Sequence, residues 1–301
     1  VLSRATDAFE AIIEVERRSD SGAGDHFAAP GANDRVWNAL EKLAVADPGV
    51  FVDYYATEAI ELAAIAWLGP HYQVTSQINV VNPGGGAQSP HRDYHLGFMS
   101  DDQAARFPAR AHLMSAGLTL QGAVAHVDMP VASGPTMFLP HSQKYPLGYL
   151  AYRRPEVVEL FQRRHRQFPL AAGDAVFFNP AVIHAAGCNR TADVRRMANL
   201  LQISSPFGRA MESVDRDQVV RAVYPELRRR RSALAASALD RAVAAAAEGY
   251  PFPTNLDLDP PLGGLAPPSQ ADVVRRALAE DWSPSTLDEA LATHGRKRRT
   301  S

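Results

Sequence analysis

The sequence of 301 residues has little cysteine, little lysine and little net charge. Its one cysteine, Cys188, excludes an intramolecular disulfide scaffold and is compatible with a reducing compartment. Three lysines stand against 28 arginines, but acidic residues balance them and the formal net charge is only −2. A chain this close to neutral is not built to coat nucleic acid or an anionic membrane surface.

Long apolar runs are also missing. No uninterrupted run reaches the ~18 residues that a membrane-spanning helix needs. The opening segment, VLSRATDAFEAIIEVERRS, carries acidic side chains where a signal peptide would need an apolar stretch. With 46% hydrophobic residues, however, the chain can build a buried core, which excludes disorder throughout. We therefore expect a cytoplasmic globular protein with no membrane or nucleic-acid partner.

The hydrophobic pattern changes twice along the chain. Apolar residues at helical spacing predict helices over 34–46 and 53–68, within an amino-terminal part that ends near position 70. Alternation and turn residues then predict a β-rich region from about 71 to 205, with a helical insertion near 152–166. The strands are expected at 71–81, at 112–129 as two strands or one bent strand, and at 135–140, 175–178 and 196–204.

Helical patterning returns after Pro206. Residues 218–250 are rich in alanine and arginine and are broken only by Pro225, and a short helix is expected around 270–281, before a basic tail. We predict a single domain over 1–301, with a helical part at 1–70, a β core at 71–205 and a helical part with a basic tail at 206–301. Several short strands with Gly/Pro turns favour a barrel or jelly roll.

Two basic runs and one alanine-rich helix have ordinary structural interpretations. The runs at 228–231 and 296–299 are typical of solvated helix faces or tails, and the overall charge does not support nucleic-acid binding. The alanine-rich segment 233–247 either docks on the β core or forms a homodimer interface, and both alternatives stay open.

Three residues have the types and the spacing of a metal site. His91 and Asp93 are two apart in SPHRDYHLGF, so an extended backbone would project both to the same side. His184 follows the apolar run AVFF and a proline, where a strand end would face a cavity. Two histidines and a carboxylate form the facial triad of non-haem Fe(II) oxygenases, although the same ligands also suit Zn²⁺, Co²⁺ or Mn²⁺.

An arginine indicates which kind of cosubstrate the metal site would bind. Arg195 follows His184 along the segment HAAGCNRTADVRR and begins the next apolar segment, RRMANLLQIS. A guanidinium that faces the interior of a barrel needs a partner, and a carboxylate ligand supplies one in bidentate geometry. We therefore expect Arg195, rather than Arg196, to hold the far carboxylate of a dicarboxylic keto acid whose other end chelates the metal.

The order of these motifs resembles the phytanoyl-CoA dioxygenase family of Fe(II)/2-oxoglutarate-dependent oxygenases. The resemblance rests on HRD, on SGPTMFLPHSQK, and on HAAGCNRTADVRR with its distal histidine and arginine. It covers roughly residues 75–205. The sequence departs from the family pattern in LPHSQK, where His141 takes the usual glycine position and Gln143 the usual histidine position.

The resemblance implies a double-stranded β-helix, a cupin-like jelly roll, with His91, Asp93 and His184 as iron ligands. It also implies Arg195 as the partner of 2-oxoglutarate, with contacts from Gln88 and Thr136. The expected activity is oxidation of a small organic substrate, by hydroxylation, with O₂ as cosubstrate and 2-oxoglutarate decarboxylated to succinate. Halogenation is not expected, because halogenating relatives have a small residue at the position of Asp93.

Two alternatives to this function stay open. One is an iron-only cupin-type oxygenase that does not use 2-oxoglutarate, and the other is a non-catalytic or sensing metal-binding jelly-roll protein. Three further polar residues are candidates for the site wall: Gln77 and Asn79, which share one face of a strand, and His95, which lies two positions beyond Asp93. The substrate class is open among fatty-acyl derivatives, natural-product scaffolds and amino-acid-like compounds.

Overall fold

The computed structural model describes residues 1–19 and 32–299. Its β structure consists of two antiparallel sheets. The strands are β1 (Asn33–Val36), β2 (Gln73–Val81), β3 (Thr119–Ala125), β4 (Thr136–Phe138), β5 (Ala175–Phe178), β6 (His184–Ala186) and β7 (Arg196–Ser204). The large sheet has the order β1-β2-β7-β3-β5, and the small sheet pairs β4 with β6.

Helices precede, interrupt and follow the strands. They are α1 (Leu2–Arg18), α2 (Ala39–Ala46), α3 (Pro48–Tyr55), α4 (Glu58–Leu68), α5 (Asp101–Ala105), α6 (Ala109–Gly117), α7 (Pro155–Arg164), α8 (Arg216–Arg230), α9 (Ala236–Ala246), α10 (Gln270–Ala279) and α11 (Pro284–Lys297). Across residues 1–19 and 32–299, no helix combines the length and the apolar character that crossing a bilayer requires.

The main hydrophobic core lies between the large sheet and helices from both ends of the chain. On β7, Met197, Leu201 and Ile203 alternate toward this core, and they pack in one cluster with Phe9 of α1 and Leu227 of α8. Ala198, Leu200 and Gln202, which alternate with these residues, therefore point to the opposite face of the sheet. That second face looks toward the small sheet and is the one that carries the polar residues described below.

Isolated backbone bridges extend the small sheet on both sides. His91 bridges to His184 of β6, and Phe138 of β4 bridges to Arg166. Segments on either side of the two short strands thus continue the antiparallel pairing. The small sheet and the large sheet carry the candidate site between them.

Several predicted elements have different bounds or types in the structure. Residues 33–36 are strand β1 rather than the start of a helix, because they pair with Ile78 to Val81 of β2. The helix predicted over 53–68 is two helices, α3 and α4. The segment 112–129 begins as helix α6 and only continues as strand β3. Local alternation could not separate a short amphipathic helix from a strand there.

The carboxyl-terminal region holds one more helix than the sequence pattern predicts. Pro225 lies inside α8 rather than ending it, and the basic run at 296–299 is not a free tail, since α11 extends to Lys297. Ser283 caps α11 by accepting a hydrogen bond from the backbone of Thr286, and Pro284 occupies its first turn. The predicted strands at 71–81, 135–140, 175–178 and 196–204 and the helical insertion near 152–166 are all present.

Candidate metal centre

The three predicted ligands meet between the two sheets. His184 begins β6, whereas His91 and Asp93 lie in the connection between β2 and α5. The Asp93 carboxylate is 3.6 Å from Nε2 of His91 and 3.5 Å from Nε2 of His184. One ligand atom from each residue lies within 4.8 Å of the other two, a spacing that a single metal ion can bridge.

The backbone fixes the two histidines relative to each other. The amide of His91 donates to the carbonyl of His184, and the amide of His184 donates to the carbonyl of His91, each at 2.9 Å. Nδ1 of His91 is 2.8 Å from the carbonyl of Ser89, and Nδ1 of His184 is 2.8 Å from the carbonyl of Val182. A carbonyl acceptor places the ring proton on Nδ1, so each Nε2 keeps its lone pair for a metal.

The carboxylate of Asp93 is partly shielded from solvent, and its surroundings keep it ionised. Burial alone would raise its pKa, but the hydrogen bond and charge of His184, the charge of His91 and a hydrogen bond from Gln121 together hold the pKa below its ordinary value. Nε2 of Gln121 donates to Oδ2 of Asp93 and lies 3.3 Å from Oε1 of Gln202. Gln121 on β3 thus links the metal site to the large sheet and orients the carboxylate.

Aromatic rings line one side of the centre. The ring of Phe178 on β5 meets the imidazole of His184 edge to face at 4.9 Å between centroids. Phe138 on β4 packs against Phe178 in the same manner, also at 4.9 Å. Such packing restricts the rotation of the imidazole and excludes water from that side of the ligand.

The other motif residues near the ligands have structural roles. Gly134 has a φ of +76°, and a Cβ there would lie 2.3 Å from the carbonyl oxygen of Gly187, so only glycine fits. The side-chain amide of Asn189 donates to the carbonyls of Val81 and Val194 at 3.0 and 2.7 Å. These contacts close the loop between β6 and β7 against β2.

Gln88 and Thr136 lie beside β6, near the ligands. The amide of Ala186 donates to Oε1 of Gln88 at 3.1 Å, so this exposed side chain is held along the edge of the strand. In the antiparallel pair of β4 and β6, Thr136 lies opposite Ala186, and Phe138 lies opposite His184. Directly opposed residues project to the same face, so Thr136 shares the face of His184.

Contrary to the prediction, Arg195 does not face the interior, and the structure does not bring it to the centre. Its guanidinium pairs with Glu10 of α1 and, at 3.3 Å, with Asp34 of β1, on the helix side of the sheet. Arg196 is the arginine on the inner face. It is 5% exposed, and no hydrogen bond or ion pair joins its guanidinium to residues 1–19 or 32–299.

Burial and the nearby guanidinium of Arg35 lower the pKa of Arg196 to about 10, so it stays charged at neutral pH. A buried charge of this kind needs an anionic partner. The sequence does hold a signal for choosing between the two arginines. Arg195 alternates in phase with Met197, Leu201 and Ile203, the apolar residues that face the helices, whereas Arg196 alternates in the opposite phase.

The other polar candidates for the site wall are Gln77, Asn79 and His95. Gln77 and Asn79 on β2 are buried and alternate with the core residues Ile78 and Val80, so they point to the inner face. His95 is held by a contact of 3.0 Å between Nδ1 and Oγ of Ser115. Sequence reasoning missed Gln121, whose side chain contacts Asp93. Period-two alternation along β3 could have found it.

Two antiparallel sheets that enclose a His-Asp-His site define a metal-dependent enzyme with an antiparallel β core. The chain belongs to the phytanoyl-CoA dioxygenase (PhyH) family, whose profile matches residues 2–197. Family membership confirms the predicted class of enzyme, a 2-oxoglutarate-dependent non-haem iron dioxygenase, and its cofactors, iron and 2-oxoglutarate. The donor set fits Fe(II), because two neutral imidazoles and one carboxylate are its ligands in this class.

Solved structures with a partly similar chain trace include enzymes of nogalamycin biosynthesis. The 2-oxoglutarate-dependent epimerase SnoN from that route has 18% identity and a TM-score of 0.44, covering 67% of this chain and 72% of its own. AviO1 from Streptomyces viridochromogenes Tue57 has 19% identity and a TM-score of 0.46, and the match covers 69% of this chain and 86% of AviO1. The carbocyclase SnoK, also from nogalamycin biosynthesis, has 21% identity and a TM-score of 0.46. The match covers 68% of this chain and 74% of SnoK. The comparison with curated proteins finds no match.

Proposed function

We propose that this enzyme hydroxylates a small organic substrate and converts 2-oxoglutarate to succinate as it does so. The observation that carries the proposal is the centre formed by His91, Asp93 and His184, in which both Nε2 atoms and the carboxylate converge within 4.8 Å. Bound iron and 2-oxoglutarate supply the oxidising power of the reaction. The presence of Asp93 favours hydroxylation over halogenation, because its carboxylate takes the position that a halide would need.

The residues of this chain bind and orient the reactants. Arg196 is the residue that would bind the far carboxylate of 2-oxoglutarate, because a guanidinium can form two parallel hydrogen bonds to a carboxylate. Arg196 is also buried, so its positive charge requires an anionic partner. Gln121 fixes the rotation of Asp93, and the ring of Phe178 fixes that of His184. Thr136 is a candidate contact to 2-oxoglutarate from the small sheet, with Gln88 next to it.

We propose that the two sheets and their bridging segments form a double-stranded β-helix, and that residues 1–301 make one domain. A cytoplasmic location, a small-molecule partner, the absence of a nucleic-acid partner and formation of a homodimer stay predictions. The alanine-rich segment packs on the main core through Ala242, Val243 and Ala246.

The test is anaerobic reconstitution with Fe(II), followed by titration with 2-oxoglutarate under visible absorption. A keto acid chelated to iron of this ligand set is expected to give a weak charge-transfer band near about 500 nm. His184→Ala should abolish the band, whereas His141→Ala, an exposed histidine outside the centre, should leave it unchanged. Iron binding without a band would contradict the role of 2-oxoglutarate and favour an iron-only oxygenase. Absence of iron binding would contradict the metal site itself.

A further inference from the structure

The two faces of the small sheet have different surroundings. The outer face is covered by α7, in one hydrophobic cluster that contains Met137, Leu139, Ile183, Ala185 and Phe161. Because side chains alternate along a strand, Thr136, Phe138 and His184 project from the other face, toward the large sheet. Only part of this inner face has a role in the activity described above.

The segment that follows α7 widens the inner face. Arg166 and Phe138 exchange two backbone hydrogen bonds, at 2.8 and 2.9 Å, so they lie directly opposite each other. On the other side, His184 lies opposite Phe138. Directly opposed residues project to the same face, so Arg166, Phe138 and His184 form one row across the sheet. In the same register, Phe168 lies opposite Thr136 and shares this face.

Three aromatic rings connect the ligand His184 with the surface. The ring of Phe178 lies 4.9 Å from the imidazole of His184 and 4.9 Å from the ring of Phe138, measured between centroids. The ring of Phe138 lies 6.5 Å from that of Phe168, which is 57% exposed. The side chain of His91 is 27% exposed, so solvent also reaches the metal centre itself. These three phenylalanine rings, which run from a ligand to the surface, are called the aromatic strip below.

Arg166 lies at the outer end of the row and is exposed. Within residues 1–19 and 32–299, its guanidinium donates only to the carbonyl of His165, at 3.1 Å, and pairs with no carboxylate. The nearby exposed Arg163, in contrast, pairs with Glu159 at 3.3 Å. The backbone of Arg166 is about 10 Å from that of His184, because opposed residues on neighbouring antiparallel strands are about 4.5 or 5.5 Å apart. A positive charge thus lies at a defined spacing from the metal centre, along an apolar surface.

We propose that the aromatic strip and Arg166 bind the substrate, and that the substrate is a carboxylic acid with an apolar, ring-containing body. This proposal rests on the proposed function and specifies its substrate class. The body packs against the aromatic strip, which leads to the metal centre, and the carboxylate pairs with Arg166 at the outer end. One guanidinium matches one singly charged carboxylate, to which it can donate two parallel hydrogen bonds.

The same surface disfavours two other kinds of substrate. An ammonium group at the outer end of the row would be repelled by the guanidinium of Arg166. A body with many hydroxyl groups would lose hydrogen bonds to water against the aromatic strip and gain none in return, which is costly. The aromatic strip and Arg166 therefore select an amphiphilic anion over a cation or a sugar-like compound.

The test measures binding, independently of turnover. The protein is loaded with Zn²⁺ and saturating 2-oxoglutarate, so that the metal site and the cosubstrate site are both occupied. Calorimetric titration then compares 4-phenylbutanoate with 4-phenylbutanamide and 4-phenylbutylamine, which share its apolar body. We expect the carboxylate to bind at least about fivefold more tightly than the amide and the amine, as for an exposed ion pair. Absence of binding, or binding of the carboxylate no tighter than that of the amide or the amine, would overturn the proposal.

Paramagnetic relaxation reports the orientation of the bound probe. With Mn²⁺ in place of Zn²⁺, the aromatic protons of 4-phenylbutanoate should relax faster than the methylene protons next to its carboxylate. The reason is that the paramagnetic effect falls steeply with distance, and Arg166 lies at the end of the row away from the metal centre. The reverse order would show that the carboxylate binds the metal and would overturn the proposal.

Replacement of Arg166 assigns the preference for an anion. Arg166→Gln removes the charge and keeps a hydrogen-bond donor, so the Kd of 4-phenylbutanoate should rise about fivefold while that of the amide stays unchanged. Arg164→Gln is the matched control, because Arg164 is also exposed and lies at the end of α7, outside the row. An equal effect of the two replacements, or no effect of either, would contradict the role of Arg166.

Replacement of Phe168 assigns the contact with the apolar body. Phe168→Ala should raise the Kd of both the carboxylate and the amide about threefold to tenfold, because it removes one ring of the aromatic strip. The ring is more than half exposed, so the variant should fold. Leu160→Ala, at a 41% exposed position of α7, is the matched control and should leave both Kd values unchanged. Unchanged binding in Phe168→Ala would contradict the role of the aromatic strip.

The charge-transfer band separates this proposal from the proposed function. The band should form with Fe(II) and 2-oxoglutarate in Arg166→Gln and Phe168→Ala as in the wild type, because neither residue is a metal ligand or the proposed partner of 2-oxoglutarate. A band in the wild type together with no preference for the carboxylate would overturn the substrate class alone. Absence of the band from the wild type would count against the proposed function, whereas the titrations of the Zn²⁺-loaded protein would still decide the substrate class.

Discussion

Arg195 and Arg196 are adjacent, yet their side chains lie on opposite faces of the large sheet. Arg195 reaches acidic residues of α1 and β1, whereas Arg196 is buried on the face that carries the metal centre. A shift of one residue in strand register exchanges every side chain between the two faces of a sheet. The sequence spacing from His184 indicates which segment carries the arginine, but spacing alone cannot decide between two consecutive arginines.

Replacing each arginine in turn should show which of the two binds 2-oxoglutarate and which only forms ion pairs with acidic side chains. Arg196→Ala is expected to raise the Kd for 2-oxoglutarate about 10- to 100-fold, because hydrogen bonds to charged groups contribute about 1.5–3 kcal/mol. Arg195→Ala should change this Kd by less than about threefold, since it removes only partly exposed ion pairs. Titration of the charge-transfer band measures both values. The reverse order of effects would show that Arg195 binds the keto acid.

His126 lies outside the metal centre and has a different function. Its Nδ1 is 2.8 Å from Oγ1 of Thr6, and its Nε2 is 3.1 Å from the phenol oxygen of Tyr54. Asn199 donates to that phenol and Thr6 donates to the carbonyl of Leu2. This chain of hydrogen bonds suits a neutral imidazole with its proton on Nδ1, and it fastens α1 to the large sheet.

Burial of His126 should make the stability of the protein depend on pH. Burial lowers the pKa of this imidazole from 6.5 to about 4. Between these values the unfolded chain takes up a proton that the folded chain does not, so the free energy of unfolding falls as pH decreases, by up to about 3 kcal/mol. Urea unfolding at pH 7.5 and pH 4.5 measures the difference. His126→Gln should flatten this dependence, whereas replacement of the exposed His141 should not.

At the scale of elements, the connection that carries His91 and Asp93 depends on a buried arginine. Arg92 is 2% exposed, and its guanidinium donates to the carbonyl of Tyr145 at 3.1 Å and lies 5.0 Å from the ring centre of Tyr149. Burial lowers its pKa to about 10, so it stays charged. The residue between the two ligands thus ties the metal-binding connection to the turns before α7.

Gly148 leaves the space that this guanidinium occupies. A Cβ at position 148 would lie 1.9 Å from Cζ of Arg92, so Gly148→Ala should displace Arg92. We expect a loss of about 1–3 kcal/mol in stability, as for other overpacked sites, and weaker metal binding in the same variant. Gly117→Ala is the matched control, because a Cβ there meets nothing within 4 Å. Thermal unfolding and metal titration of both variants provide the comparison, and equal behaviour would contradict this role of Arg92.

The elements that the sequence predicts well are those with a strong local pattern. β7 is an apolar-rich segment and is found at its predicted bounds, 196–204. The motif HRD predicts His91 and Asp93 as ligands, and the structure brings both residues together with His184. β1 is mistaken for helix because it is very short and is defined by pairing with β2, a contact distant in sequence. The role of Arg92 could not be predicted, because it depends on Gly148, which is distant in the sequence and belongs to no periodic pattern.

At the scale of the whole molecule, a metal ion should stabilise the folded state. Its ligands come from two segments that meet only in the folded chain, so an ion binds the native state in preference to the unfolded one. With Zn²⁺ at a concentration of about 1,000 times its Kd, the free energy of unfolding should rise by about 4 kcal/mol. The gain should be lost in Asp93→Ala and kept in His141→Ala. An equal rise in melting temperature for Asp93→Ala would place the bound ion elsewhere.

The reciprocal hydrogen bonds between His91 and His184 also have a consequence for the order of folding. They close a long loop of the chain, and contacts between such distant segments carry a large entropic cost and form slowly. Helices of the amino-terminal part and the β2–β1 pair involve far shorter separations. The pairing of the two histidines should therefore complete late in refolding, and the rate at which a refolding chain acquires the ability to bind metal would report on that last stage.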